Sequence, residues 1–406
     1  AFQLLGSQND MATIRLGTAT LVVDLGNSST RVCVCYGKNG KGVLRQRSTE
    51  LDNHYHNIGP TAESGELTRL MENDAYNENN SVIFKMNGEY YCNGEMCRAE
   101  YNGGTIRPSA SGLRKYQDIA SKLALVNAFR YGYQAIEDIT GGEIDSLDIS
   151  WELSLLLPPE DLDGTGPKQL ADMARSISEV DFILPEMKKS VNISKVRIFS
   201  EGLCALVAVV LENSQKPRKD YEYLRDPDEV TLIIDIGAGT SDFTLTQGIR
   251  VITSSRYTAN IGGNNITERV DDLLRRRGIR LSDKIIARGT VSGKVKLGGK
   301  EEDVSKEVDA ARSEISQTLV NETNKFLERN KYSLQSVNNL LICGGGAVDS
   351  EIPGVKSLAE YLTAYIKRIS EYINVIELPS VMDVEGNISK VSPRDLNIMG
   401  ATILSD

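Results

Sequence analysis

An internal repeat constrains the fold of this chain more than any other feature of its sequence. Residues 21–37 read LVVDLGNSSTRVCVCYG, and residues 232–248 read LIIDIGAGTSDFTLTQG. Each copy has three aliphatic residues, an aspartate, another aliphatic residue, a glycine and a small polar loop, followed by a segment with alternating apolar positions. The copies lie too far apart for a solenoid, so they predict two similar halves that each open with a β-hairpin.

Length and composition agree with this division. A chain of 406 residues is too long for one simple core, and two large domains are expected. The net charge of −10 makes a broad electrostatic grip on DNA unfavourable, so no direct nucleic-acid contact is expected. No apolar run reaches the roughly 18 residues of a membrane span, so no membrane partner is expected. The six cysteines are expected to be reduced, partly buried thiols of a cytoplasmic protein.

Elsewhere strand-like and helix-like patterns alternate, which predicts an α/β protein with mixed sheets. Expected strands cover Ile149–Leu157, Lys195–Phe199 and Leu340–Cys343, and expected helices cover Ser121–Tyr133, Gly202–Leu211, Gly262–Arg277 and Glu307–Arg329. A polar, Asn/Gly-rich region at about 45–115 predicts a small insertion with a hairpin at Val82–Tyr91. His54 and His56 lie in this region and are interpreted as loop residues.

The loops of the two repeat copies are candidate phosphate-binding loops. Small residues after a buried strand expose backbone N–H groups, which can surround phosphate oxygens, and glycine permits close approach. The candidate residues are Asp24, Gly26, Asn27, Ser28, Ser29 and Thr30 in the first copy, and Asp235, Gly237, Ala238, Gly239 and Thr240 in the second. One such loop alone would more often be an ordinary tight β-turn, but two facing copies would clamp a polyphosphate.

The two aspartates are candidate metal-binding residues. A carboxylate cannot bind phosphate directly, but Asp24 and Asp235 could hold Mg²⁺ through water, because this ion keeps much of its hydration shell. A third motif, Leu340–Ala347, places an apolar strand before three glycines. This pattern indicates close backbone approach to a flat ligand or a helix N-terminus near phosphate. We expect Gly344, Gly345, Gly346 and Ala347 to contact the adenosine part of a nucleotide.

The order of these motifs resembles that of the actin, heat-shock chaperone and sugar kinase superfamily. The resemblance runs from about residue 20 to the C-terminus, with phosphate motifs at Asp24–Arg31 and Asp235–Asp242 and an adenosine motif at Ile342–Ala347. Connecting helices would begin at Glu201 and near Asn397. Within the superfamily the chain is most similar to bacterial actin-like proteins of the ParM kind, which segregate plasmids. The hairpin at 88–95 and the stretch Leu155–Pro159 contribute to this likeness.

The resemblance implies an actin-like fold, with two similar halves of mixed β-sheets flanked by helices and a nucleotide in the cleft between them. Residues 11–200 plus 395–406 would form the first half, with a small-subdomain insertion at about 45–115. Residues 201–394 would form the second half, with a small subdomain at about 265–335.

The resemblance also implies roles for single residues. Glu201 takes the position of the side chain that orients the attacking water, and it would act with Asp235 and Asp242 in catalysis. An ordinary helix N-terminal acid is the alternative for Glu201, and a strand-surface acid is the alternative for Asp242. The residues Gly262, Gly263 and Asn264 would lie near the ribose, and Arg312 and Glu314 would border the adenine.

The resulting hypothesis is a filament-forming ATPase that hydrolyses nucleotide to drive polymer turnover, with plasmid or DNA segregation as its role. Its cofactors would be Mg²⁺ and ATP, or GTP, because contacts through a glycine backbone do not discriminate the base. Its partners would be further copies of itself and a DNA-bound adaptor in the bacterial cytoplasm. A sugar or small-molecule kinase is the alternative, although such enzymes usually use an aspartate base where this chain has Glu201. A chaperone-type ATPase normally carries a substrate domain after its last connecting helix, whereas this sequence is expected to end with that helix. A cell-shape protein would need a membrane-binding terminus.

Overall fold

The computed structural model describes residues 17–36, 45–60, 65, 68, 70, 81–94, 97, 100–101, 106, 114–141, 149–382 and 388–405. The first six residues of the predicted first half, at 11–16, and parts of the predicted insertion at 45–115 lie outside the described residues. Glu95, the last residue of the hairpin at 88–95, also lies outside them.

Strands and helices alternate along the chain, as the sequence predicts. The described strands are β1 (Gly17–Leu25), β2 (Ser29–Tyr36), β3 (Arg45–Asp52), β4 (Tyr55–Gly59), β5 (Ser81–Met86), β6 (Glu89–Gly94), β7 (Ile149–Leu157), β8 (Glu179–Leu184), β9 (Met187–Ser190), β10 (Asn192–Ser200), β11 (Val230–Ile236), β12 (Ser241–Gln247), β13 (Arg250–Ala259), β14 (Lys294–Leu297), β15 (Lys300–Asp303), β16 (Asn339–Cys343), β17 (Asn374–Val375), β18 (Ser380–Met382) and β19 (Ile388–Lys390). The described α-helices are α1 (Ile119–Thr140), α2 (Gly166–Arg175), α3 (Leu203–Val210), α4 (Gly263–Arg276), α5 (Asp283–Ser292), α6 (Ser305–Arg329), α7 (Leu358–Ile369) and α8 (Leu396–Ser405).

Two five-stranded sheets repeat the same topology. The first has the order β3-β2-β1-β7-β10, and the second has the order β13-β12-β11-β16-β17. In both, the first three strands are antiparallel and the last three are parallel. The hairpin registers are also equivalent, since Asp24 pairs with Arg31 and Asp235 pairs with Asp242. The prediction of two similar halves with mixed sheets is therefore confirmed.

Helices α3 and α8 join the two sheets. Apolar residues of α3 pack with Ile233 and Leu341 of the second sheet, whereas α8 packs on β1, β2 and β7 of the first sheet. The two helices also pack against each other, and a Cβ atom on Gly400 would lie 1.7 Å from the Cys204 carbonyl oxygen. The sheets are thus connected through a tightly crossed helix pair, whose N-terminal ends lie near the phosphate-loop candidates.

A third sheet, with the order β4-β6-β5-β8-β9, includes the predicted hairpin. Its turn at Asn87 and Gly88 has positive φ at both residues (53° and 85°), as a two-residue hairpin loop requires. The interpretation of both histidines as loop residues is wrong for His56, which lies in β4 and stacks on Tyr101 with ring centroids 3.8 Å apart. The polar composition of this strand concealed it, because its pairing with β6 and the packing of its Tyr55 join it to residues distant in sequence.

Each half has its own apolar core. One core packs α1 against the first and third sheets around Trp151 and Phe129, and the other packs α4, α6 and α7 against the second sheet around Phe243 and Phe326. All six cysteine side chains are buried thiols. Within the described residues no helix combines the length and the apolar character needed to cross a membrane.

Candidate functional site

The two candidate phosphate loops face each other across one cavity of about 540 Å³. Gly26, Asn27, Ser28 and Ser29 line it from the first half, and Gly237, Ala238 and Thr240 line it from the second. The loops are close enough that a Cβ atom on Gly239 would lie 3.1 Å from Asn27 Nδ2. The structure therefore brings the two repeat loops together at the carboxyl ends of β1 and β11.

Both loops turn tightly, and their glycines make this possible. A Cβ atom on Gly26 would lie 2.4 Å from the Ser29 carbonyl oxygen, and one on Gly237 would lie 3.0 Å from the Thr240 carbonyl oxygen. The Gly237 N–H also donates to this Thr240 oxygen over 2.8 Å. The loops are therefore tight turns as well as cavity walls, so the two interpretations of the motif are compatible.

Four buried carboxylates lie at the base of the cavity. They belong to Asp24, Glu201, Asp235 and Asp242, whose residues are between 6% and 8% exposed. Burial raises the pKa of Asp235 to about 6, although a hydrogen bond from Asn397 opposes the shift. Burial also raises the pKa of Asp242, against a hydrogen bond from Thr258, and the negative charge of Asp235 adds to this rise. Burial, together with the repulsion between neighbouring carboxylates, thus disfavours the ionised forms of Asp235 and Asp242.

Lys115 enters this cluster and pairs with Glu201, with its Nζ atom 2.7 Å from Glu201 Oε1. Burial alone would lower the pKa of the Lys115 ammonium, but the charges of Glu201 and Asp24 outweigh it and raise the pKa above its ordinary value. Burial raises the pKa of the Glu201 carboxyl, the Lys115 charge opposes this shift, and Asp24 adds to it. Sequence reasoning missed Lys115, because nothing in its polar surroundings distinguishes it from a surface lysine.

Asn397, at the beginning of α8, connects three parts of the site. Its Oδ1 atom accepts a hydrogen bond from the Gly202 N–H over 3.0 Å, and its Nδ2 atom donates to Asp235 Oδ2 over 2.5 Å. The sequence identified this position only as a helix start. The structure places it where β11 and the N-terminal ends of α3 and α8 meet.

The carboxylates at the bottom of the cavity have the chemistry to hold a hydrated divalent cation. Within the part of the chain that the structure describes, no group of three or more His, Cys, Asp or Glu side chains could hold a metal ion directly. Mg²⁺ keeps several waters and is commonly held by one or two carboxylates together with phosphates. The buried carboxylates of Asp24 and Asp235, which both line the cavity, have the chemistry for such an outer contact.

Thr30 does not line the cavity, although it was predicted to contact phosphate. Its side chain is fully buried, and its hydroxyl donates to Asn53 Oδ1 over 2.8 Å. Thr30 belongs to β2, where successive side chains alternate between faces, and its own side points into the protein. The neighbouring Ser29 lines the cavity, and its hydroxyl donates to Glu50.

Helices α4 and α5 form another wall of the cavity. Gly263, Asn264 and Thr267 line it from α4, and Thr290 and Val291 line it from α5. The start of α4 is tied to the second loop, because the N–H groups of Gly263 and Asn264 donate to the carbonyl oxygens of Gly237 and Ala238 over 3.0 and 2.7 Å. The wall residues of α5 carry no motif that would have identified them in the sequence.

Gly262 stands behind this wall rather than in it. A Cβ atom there would lie 2.6 Å from the Gly237 carbonyl oxygen and 2.7 Å from that of Ala238. Glycine at this position therefore allows the α4 N-terminus to pack closely on the second phosphate loop.

Arg312 and Glu314 do not line the cavity, contrary to their predicted place beside the adenine. Arg312 donates to Ser350 Oγ over 2.6 Å and to the Thr290 carbonyl oxygen over 3.4 Å, so it supports the cavity wall from behind. Glu314 pairs with Arg269 of α4 over 2.6 Å. Residues two apart on a helix point in different directions, so the two α6 side chains cannot share one ligand.

The glycine run after β16 serves packing as well as the cavity. Gly344 has φ 88°, and a Cβ atom there would lie 2.3 Å from Asp235 Oδ1. A Cβ atom on Gly346 would lie 2.4 Å from Ile236 Cγ2. Gly344, Gly345 and Gly346 all line the cavity, whereas Ala347 is buried and does not.

Two arginines complete the lining, and Glu50 connects them. Arg31 Nη2 lies 3.4 Å from Glu50 Oε1, and Arg394 Nη1 lies 3.2 Å from Glu50 Oε2. Arg31 also lies 4.0 Å from Asp24 Oδ2. Arg31 falls within the first repeat motif, whereas Arg394 lies just before the connecting helix expected near Asn397 and was not identified from the sequence.

Comparison with known proteins supports the architecture. The family model of the C-terminal domain of archaeal MreB-like actin homologues matches residues 233–351. No curated protein matches the sequence. Several hundred solved chains match the structure, and many of these similarities extend over nearly the whole chain.

The crystal structure of the actin-like protein Alp7A is 16% identical, covers 96% of both chains and has a TM-score of 0.67. A 15-stranded ParM filament from Clostridium botulinum is 15% identical, covers 96% of this chain and 99% of that one, and has a TM-score of 0.57. An archaeal actin homologue in complex with ADP is 11% identical, covers 96% of this chain and 98% of that one, and has a TM-score of 0.59. The chain therefore has an actin-like fold, and this similarity to Alp7A, ParM and archaeal actin homologues extends over both of its halves.

Proposed function

We propose that this protein is an actin homologue that binds ATP with Mg²⁺, hydrolyses it and uses the cycle to assemble and disassemble filaments. One observation carries the proposal: two equivalent glycine-containing loops face each other across a single cavity, with a buried acidic cluster at its base. Such loops present backbone N–H groups to a polyphosphate from both sides. The similarity to an ADP-bound archaeal actin homologue supports a nucleotide as the ligand.

The loop residues Asn27, Ser28 and Ala238 would surround the phosphates, with Arg31 and Arg394 as cations beside them. Asp24 and Asp235 would hold a hydrated Mg²⁺. When bound, this ion neutralises phosphate charge and polarises the terminal phosphoryl group. The volume of about 540 Å³ lies within the range of small-ligand sites.

Glu201 and Asp242 are the proposed residues for hydrolysis, which depends mainly on positioning and charge compensation. A water oxygen bonds to the terminal phosphorus while the bond from that phosphorus to the bridging oxygen breaks. The water proton passes to the Glu201 carboxylate and from there to the released phosphate. The products are inorganic phosphate and a nucleoside diphosphate. Asp242, held by a hydrogen bond from Thr258, would help to order the water.

We propose that closure of the cleft between the two halves controls filament assembly. A ligand held by both loops favours the closed cleft, and it drives assembly only if the closed form associates more tightly than the open one. One structural neighbour is a ParM filament, which supports self-association as the output. We also propose plasmid or DNA segregation through a DNA-bound adaptor in the bacterial cytoplasm. The net charge of −10 favours an adaptor over direct DNA contact.

The deciding experiment mixes the purified protein with Mg²⁺ and ATP, GTP or ADP and follows light scattering, pelleting and phosphate release together. Transient polymer with ATP that decays as phosphate appears supports the proposal. Turnover that requires an added sugar would support the kinase alternative. Glu201→Ala should slow phosphate release and prolong the polymer, whereas Glu328→Ala on the exposed side of α6 should change neither.

A further inference from the structure

The buried pair of Lys115 and Glu201 needs an explanation beyond stability. Its Nζ–Oε1 distance is 2.7 Å, and the two side chains are only 11% and 8% exposed. Burying two charges costs desolvation energy that their attraction often does not recover, so apolar residues of similar size commonly serve stability as well. The pair also lies in the lining of the cavity, where a residue can act on a ligand.

A rigid turn delivers Lys115 to this place. Lys115 begins a 3₁₀ turn, Lys115–Gln117, which is closed by a 2.8 Å hydrogen bond from the Gln117 N–H to the Arg114 carbonyl oxygen. Arg114 Nη1 lies 2.9 Å from Asp161 Oδ1, and Asp161 is itself 6% exposed. The turn is thereby anchored on its N-terminal side to the segment that follows β7.

The other side of the turn is anchored as well. Asp118 caps α1 by accepting a hydrogen bond from the Ala120 N–H over 2.9 Å. Tyr116 packs against the start of α2, where a Cβ atom on Gly166 would lie 3.2 Å from its ring. The backbone at Lys115 is therefore held from both sides, and the contact with Glu201 places the ammonium group at the cavity.

Glu201 has a fixed backbone and a side chain that Lys115 orients. Its N–H donates to the Leu157 carbonyl oxygen over 2.9 Å, and its own carbonyl oxygen accepts from Ser200 Oγ over 2.9 Å. Lys115 binds Oε1, which leaves Oε2 as the acceptor for a water in the cavity. Without the ammonium group the carboxylate would face the negative charges of Asp24, Asp235 and Asp242 and would lose the hydrogen bond that holds it in this rotamer.

We propose that Lys115 is a positioning residue for nucleotide hydrolysis, which holds the Glu201 carboxylate so that its second oxygen binds the attacking water. The inference rests on the proposed function. It separates the two ion-pair partners by role: Glu201 contacts the water, and Lys115 acts through Glu201. It also ties hydrolysis to the turn at residues 114–118, through which the chain passes from the third sheet to α1.

The test measures single-turnover and steady-state hydrolysis of Mg²⁺-ATP by Lys115→Met, Lys115→Arg, Glu201→Gln and the Lys115→Met/Glu201→Gln double variant. Lys115→Met should lower kcat on the order of 100-fold with KM within a few-fold of the wild type, as expected for the loss of one positioned proton acceptor. Lys115→Arg keeps the charge and should recover part of kcat. The double variant should be no slower than Glu201→Gln. Lys168→Met, on the exposed face of the neighbouring α2, is the matched control and should match the wild type.

Each outcome decides the inference. If Lys115→Met raises KM while kcat stays unchanged, or slows the Glu201→Gln background by the same factor as the wild type, then Lys115 acts on the nucleotide itself and the inference is wrong. If Lys115→Met does not fold, Lys115→Gln, which removes the charge and keeps much of the side-chain length, takes its place, and an unchanged kcat in that variant contradicts a positioning role. A wild type that binds no nucleotide or releases no phosphate overturns the proposed function and this inference with it. An active wild type in which the effects of Lys115→Met and Glu201→Gln on kcat multiply in the double variant overturns the inference alone.

Discussion

Gly400 lies where α8 crosses α3, and its replacement by alanine tests the joint between the two halves. A Cβ atom at this position would lie 1.7 Å from the Cys204 carbonyl oxygen and 2.5 Å from its carbonyl carbon. Contacts of real Cβ atoms stay beyond 3.0 Å, so the helices would have to separate by roughly 1.3 Å. The obstacle is backbone on a packed helix, so no side-chain rotation can relieve it.

The separation would also break a hydrogen bond of the site. The Gly202 N–H and Asn397 Oδ1 are 3.0 Å apart, and a shift of this size takes them beyond hydrogen-bonding distance. Overpacking costs about 1 to 3 kcal/mol, and a buried group that loses its partner costs about 1 to 3 kcal/mol more. We therefore expect Gly400→Ala to lower the free energy of unfolding by about 2 to 6 kcal/mol. For a chain of this length that corresponds to a melting temperature lower by about 2 to 7 °C.

Thermal unfolding followed by circular dichroism measures this effect directly. Gly65→Ala is the control, because Gly65 is an exposed residue in helical conformation and, among the described residues, a methyl group there would meet no atom within 4 Å beyond its own helix. Its replacement should leave the melting temperature unchanged or raise it slightly, since alanine favours helix over glycine. A Gly400→Ala protein that melts within about 1 °C of the wild type, a difference close to the precision of the assay, would refute the close helix crossing.

Three further predictions concern the base of the cavity. Asn397→Asp replaces the amide that donates a 2.5 Å hydrogen bond to Asp235 with a second carboxylate. Because the two negative charges repel each other, calorimetric titration should show a nucleotide affinity at least about 10-fold lower. An affinity within roughly two-fold of the wild type, the usual error of such a titration, would contradict this prediction. Burial raises the pKa of Asp235 to about 6 and also raises the pKa values of Glu201 and Asp242. At pH values above the ordinary carboxyl pKa of about 4, the nucleotide-free folded protein therefore binds more protons than the unfolded chain. Its free energy of unfolding should therefore fall as pH rises through 6, and Asp242→Asn should flatten this slope in denaturant titrations at several pH values; an equal slope in the variant would count against the buried acidic cluster. Gly344→Ala would place an alanine at φ 88° with its Cβ atom 2.3 Å from Asp235 Oδ1. It should therefore lower the melting temperature by at least as much as Gly400→Ala. A smaller decrease would show that the backbone after β16 relaxes.

Much of the fold could be predicted because its signals are local. Buried strands with β-branched residues, a small polar turn and a second alternating strand define each hairpin within about 17 residues of sequence. The helix expected at Ser121–Tyr133 extends to Ile119–Thr140 in the structure, because its ends depend on the Asp118 cap and the left-handed Gly141. The recruitment of β8 and β9 into the third sheet had no local signal, since pairing partners far apart in sequence are chosen by packing.

The sequence alone determined the duplicated hairpins, their equivalent register and the small residues of the two loops, because hydrogen-bond pairing and turn geometry act between near neighbours. Only the tertiary structure decided which other side chains reach the cavity. It brings Lys115, Arg394 and Asn397 from distant segments, and it turns Thr30 and Arg312 away. The physical reason is that the face a side chain presents is set by the packing of its whole strand or helix, and a residue's own neighbours in sequence do not specify that packing.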